Sequence, residues 1–85
     1  MNEQTATHAM IEFLKNRIIE DPSTEILADT PLVSSGLVDS FALVEVLLQL
    51  ERVTKLAISP SMVSPDDLDT VARMLATATR IGEPR

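Results

Sequence analysis

The chain predicts an all-α fold, a bundle of three main helices with a short helix before the last, and three observations lead there. Apolar residues recur at spacings of three and four in three separate segments. The hydrophobic fraction is 45% yet includes only two Phe, no Trp and no Tyr, so the core is aliphatic, as small helical cores commonly are. Prolines and cap-type residues fall in the gaps between the periodic segments. At 85 residues the chain is read as one domain spanning residues 1–85, with a modest core and no room for a deep cleft between lobes. Its ends, about residues 1–4 and 81–85, are expected to fray.

The first helix is expected over about residues 5–20, where Met10, Ile11, Leu14 and Ile18 share one stripe. It should stop at Asp21-Pro22, because proline disfavours helical geometry in the residue before it and brings no amide hydrogen. Residues 22–38 read as a long ordered loop, anchored by Ile26, Leu27, Leu32 and Val33. The second helix is expected from about Ser40 to Val53 or Thr54, and at 100° per residue it carries two apolar arcs. Leu43, Val46, Leu47 and Leu50 form the first, which is ordinary core. Phe41, Val44 and Leu48 form the second, flanked by Glu45, Glu51 and Arg52. Val44 is expected to be covered by the long loop, whereas Phe41 and Leu48 are expected to stay available for contact.

Beyond a short apolar Leu56-Ala57-Ile58, Ser59-Pro60 and Ser64-Pro65 bracket a polar connector with a helical turn over Pro65-Asp66-Asp67-Leu68. Proline suits a first helical position and acids suit a first turn. The last helix is expected to be capped by Asp69 and to run through Val71, Met74, Leu75 and Ala78. Met10, Met62 and Met74 read as gap-fillers and His8 as a surface residue.

Thirteen acidic against seven basic residues give a net charge of −6, which repels nucleic acid and anionic lipid and favours basic protein surfaces as partners. The absence of cysteine excludes a disulfide framework, a thiolate metal site and a cysteine nucleophile. No apolar run approaches the roughly 20 residues that span a bilayer, and no secretion signal is evident, so a cytoplasmic monomer is expected.

Function is expected at Gly36-Leu37-Val38-Asp39-Ser40-Phe41, which sets one serine hydroxyl between a polar loop and an apolar helix. Amide groups and the macrodipole at a helix start favour an attached phosphate. The plainer reading of Asp39-Ser40 is a helix cap, and both roles can coexist. A hydrolase triad lacks its parts, since His8 is the sole histidine and no glycine-rich oxyanion loop is present. Asp66 and Asp67 lack the enclosed pocket that acid–base chemistry requires, and no calcium or zinc ligand spacing occurs. Neither a catalytic residue nor a metal is therefore expected.

An ordered set of elements carries a family resemblance: Asp29-x-Pro31-Leu32, the junction around Ser40, Glu45 and Leu50-Glu51, and Leu68-Asp69-Thr70-Val71. Over nearly its whole length the chain resembles the acyl carrier protein superfamily, including peptidyl and aminoacyl carriers. The resemblance implies that a phosphopantetheinyl transferase joins the 4'-phosphopantetheine of coenzyme A to Ser40, and that the arm then carries acyl groups as thioesters. It further implies that Asp39 serves transferase recognition and that Phe41, Glu45, Leu48 and Glu51 serve partner docking. Other partners would be an adenylating enzyme, ligase or acyltransferase, and downstream acyl-processing enzymes.

Three positions depart from the fatty-acid-synthesis pattern. Ala42 stands where an acid is usual, Arg52 reverses a sign, and Thr54 replaces a common aromatic. The expectation is thus a discrete carrier of a specialised pathway, of the secondary-metabolite or dedicated-ligase kind, with a fatty-acid-synthesis carrier as the alternative. An unmodified helical interaction module is the rival from another class.

Overall fold

The computed structural model describes residues 2–84. Helix α1 spans Glu3–Phe13 and widens into a π-turn over Leu14–Ile18. Its start lies two residues earlier than expected because the Asn2 side chain accepts the Thr5 amide at 2.8 Å, satisfying one of the donors a helix leaves open. Its end comes two residues early, where Glu20 turns to a positive φ of 60° just before Asp21-Pro22.

Helix α2 spans Ala42–Thr54 and ends on Lys55 in the left-handed region. A two-residue strand β1, Leu56–Ala57, follows. Two 3-10 turns, Pro60–Met62 and Pro65–Leu68, lead to helix α3 over Val71–Ile81. The second turn is where the sequence places it, closed by a reciprocal box between Ser64 and Asp67. All three helices pack on one another around Met10, Leu14, Val46, Leu50, Val71 and Met74, each fully buried. The all-α architecture read from the sequence is the architecture found.

Several expectations need correction. Asp69 does not cap α3; that role falls to Thr70, whose hydroxyl accepts the Arg73 amide at 3.0 Å. Val44 is not covered by the loop but 64% exposed, Leu27 points away from the core, and Met62 fills no gap. At the end of the chain, Glu83–Pro84 forms a strand β2 that pairs antiparallel with β1, where fraying had been expected. Gly82 permits this through its missing side chain, since a Cβ there would collide with the Ala78 carbonyl and crowd Leu56. The outermost ends of the two expected fraying ranges, Met1 and Arg85, lie outside the described residues.

Residues 19–41 cross between α1 and α2 as an ordered segment pinned by buried Ile26, Leu32 and Val38. Its polar groups are used locally: Asp21 accepts the Ser23 amide and hydroxyl, Thr30 accepts the Leu27 amide, and the Ser35 hydroxyl donates to the Pro31 carbonyl. Backbone bonds from Ala72 N–H to the Ala28 carbonyl and from Leu32 N–H to the Asp69 carbonyl fasten it to the start of α3. A loop of this length in a small domain is thereby held by burial and hydrogen bonding rather than left free.

The helices run so that the start of α1 and the ends of α2 and α3 share one hollow, lined among others by Asn2, Val53, Thr54 and Thr79. The π-turn end of α1 meets the start of α2 instead. That second meeting point is lined by Asp39 and Phe41, the residues on either side of Ser40.

Candidate functional site

Gly36 adopts φ +85°, a backbone geometry that side-chain-bearing residues rarely tolerate, and its amide donates to the Val33 carbonyl at 3.1 Å. The tight turn so formed brings Val38 back beside Leu32, whose carbonyl accepts the Val38 amide at 2.9 Å. Both side chains are buried, which fixes the residues immediately before the junction. Asp39 then receives the Ala42 amide on Oδ1 at 2.9 Å and starts α2. Ser40 and Phe41 therefore sit in the turn just before the regular helix, which begins at Ala42, two residues later than the sequence predicts.

Ser40 is exposed, and its hydroxyl has no hydrogen-bond partner among the described residues. The cap reading and the attachment reading thus separate onto two residues: Asp39 caps, and Ser40 is left available. Beside the junction lies an open hollow of about 300 Å³, lined by Arg17, Ile18, Glu20, Asp39, Phe41, Ala42 and Glu45. Arg17, Ile18 and Glu20 come from the end of α1 and escaped the sequence reading, which treated that helix as scaffold. The signal for them was the short distance an antiparallel helix pair leaves between the end of one and the start of the next, not any motif.

Phe41, 89% exposed, Val44 and Leu48, 48% exposed, make an apolar strip along the solvent side of α2, with exposed Leu37 before it. Such a strip is more apolar than solubility requires. Glu45 is exposed beside it. Glu51 is half-buried, and its carboxylate turns back to accept the Ile58 amide at 2.8 Å, tying down the connector after β1, a structural task beside the docking role the resemblance implies.

Asp69 is the residue whose importance the sequence did not reveal. Its Oδ1 accepts the amides of Val33 at 2.8 Å, Ser34 at 2.9 Å and Leu32 at 3.2 Å, and its Oδ2 accepts the Ser34 hydroxyl at 2.9 Å. The Ser34 amide, then the Ser34 hydroxyl and the Val33 and Leu32 amides, hold its carboxyl below the ordinary range against the opposing effect of partial burial. A clue existed in the pair Asp69-Thr70, two cap-type residues in succession where a helix needs one.

The junction fits a phosphopantetheine group. The exposed Ser40 hydroxyl is open to attachment, and its chain neighbours Asp39 and Phe41 line a hollow in which Arg17 stands among Glu20, Asp39 and Glu45 while Ile18 and Phe41 supply apolar wall for the arm. No helix among the described residues is long and apolar enough to cross a membrane. Neither the curated proteins nor the solved structures give a match to the chain. Residues 14–78, which hold the junction, α2, Asp69 and most of α3, do match a family model described as a phosphopantetheine attachment site. The chain therefore belongs to the phosphopantetheine attachment-site family, within the acyl carrier protein superfamily, whose members carry covalently bound 4'-phosphopantetheine.

Proposed function

We propose that Ser40 is the attachment residue and that the protein is a discrete acyl or aminoacyl carrier rather than an enzyme. The observation that carries this reading is an exposed hydroxyl with no hydrogen-bond partner among the described residues, just before α2 and inside the segment that matches the family. The bound arm supplies a terminal thiol on which acyl groups are held as thioesters, a function a cysteine-free chain cannot provide itself. The chain's own contribution is to expose Ser40, to hold Asp39 where a transferase meets it, and to present Phe41, Glu45 and Leu48 along α2 for docking. Acidic charge steers basic partners, and the apolar strip gives close contact after encounter. Among carrier roles we favour a specialised pathway with a dedicated adenylating enzyme or ligase over primary fatty-acid synthesis, on the strength of Ala42, Arg52 and Thr54.

Incubation with coenzyme A and a broad-specificity phosphopantetheinyl transferase, followed by intact-mass measurement, tests the central assignment. The wild type is expected to gain one phosphopantetheine and Ser40→Ala none. A gain that persists in Ser40→Ala moves the site elsewhere, and no gain in the wild type refutes the carrier reading. Efficient elongation of the loaded protein by fatty-acid condensing enzymes would overturn the specialised assignment.

A further inference from the structure

Resting on the assignment of Ser40, we propose that Asp69 is a positioning residue for the attachment junction, acting from 29 residues away in sequence. Its carboxylate gathers three successive amides and one hydroxyl of residues 32–34 onto two oxygen atoms. The Leu32 amide is held a second time by the Asp69 carbonyl at 2.7 Å. Leu32 in turn accepts the Val38 amide, and Val38 is followed directly by Asp39 and Ser40. A continuous series of short bonds therefore runs from the start of α3 to the residue that receives the arm.

The arrangement is more than local neatness. No side chain between Val33 and Val38 is buried, Leu37 included, so burial does not fix the course of this segment. Its ends are fixed instead, by Leu32 in the core on one side and Val38 on the other, and Asp69 fixes the outward turn that follows Leu32. Releasing that turn lets Ser40 and Asp39 sample positions a transferase does not accept, and the apparent affinity for the carrier falls with the competent fraction. The effect belongs in KM for the carrier, because once the competent form is bound the transfer itself is unaltered.

Steady-state transfer from coenzyme A to the full chain tests this, at a temperature where circular dichroism shows every variant folded. Asp69→Ala is expected to raise KM about tenfold with kcat within about twofold of wild type. Asp69→Asn should recover most of the loss, since its Oδ1 still accepts the Val33 and Ser34 amides. Ser34→Ala, which deletes only the hydroxyl bond to Oδ2, should raise KM about two- to threefold. Ile58→Val, a mild core lesion away from the latch, should leave KM unchanged.

A wild-type KM in Asp69→Ala, or the same rise in Ile58→Val, overturns the proposal. If Asp69→Ala does not fold, Ser34→Ala decides, and a wild-type KM in it overturns the proposal. Loading of the wild type at Ser40 is read in the same assay: its absence refutes the site assignment and this inference with it, whereas normal loading with an indifferent Asp69 refutes this inference alone.

Discussion

Helices α2 and α3 begin with the same kind of pair, an aspartate followed by a hydroxyl residue, and use it in opposite ways. At α2 the acid caps, with Asp39 Oδ1 on the Ala42 amide, and the Ser40 hydroxyl is left over. At α3 the hydroxyl caps, with Thr70 Oγ1 on the Arg73 amide, and the Asp69 carboxylate is left over. Both capping bonds reach three residues forward, but Thr70 stands directly before α3 whereas Asp39 stands a turn ahead of α2. A helix start needs one capping side chain, and the second becomes free for a task outside the helix. At α2 the residue left over is an exposed hydroxyl, available for the attachment proposed above; at α3 it is a carboxylate that fastens a loop.

The sharpest way to break this comparison is to delete both hydroxyls. Thr70→Ala is expected to lower stability by about 1 kcal/mol, as loss of a cap commonly does, whereas Ser40→Ala should change it by less than about 0.5 kcal/mol. Urea unfolding measures both, and equal losses would show that Ser40 contributes to its helix start after all.

A smaller effect separates the acids. Asp69 titrates below the ordinary value of 3.8 in the folded protein because the Ser34 amide, foremost, and its neighbours favour the ionised form. The unfolded chain therefore binds the proton first as pH falls. The stabilisation is complete above the unfolded value and is lost as pH drops through the lower folded one. Acid unfolding followed by circular dichroism should thus be less steep below about pH 4 in Asp69→Asn than in the wild type. Asp21 and Asp67, shifted in the same direction by Ser23 and Ser64, keep some slope in both proteins. Superimposable acid limbs would argue against a native role for the Asp69 charge.

Periodicity in the sequence located each helix within two residues and sorted α2 into a buried and an apolar outer arc, because a 3.6-residue repeat records which side of one helix meets the core. The Ser40 junction was legible for the same local reason: glycine, acid, hydroxyl and apolar run stand next to one another in the chain. Contacts that depend on where separate elements come to rest were not legible. Asp69 had two possible partners, its own helix or the loop, and only the packed arrangement puts the loop amides within reach. Arg17 joins the junction because α1 ends there in space, and β2 pairs with β1 because Gly82 lets two backbones approach. The bond from the Ile58 amide to the Glu51 carboxylate likewise depends on where the connector after β1 comes to rest.

The almost complete exposure of Phe41 has a spectroscopic consequence in a chain without tryptophan or tyrosine. Phe41→Trp would introduce the sole indole of the molecule at a position that touches little of its own fold. Its emission is expected to be that of a solvated indole in the free protein and to shift to the blue when a partner's surface covers α2. The binding of each candidate enzyme could then be followed in real time through the carrier's single indole, before any cargo is known.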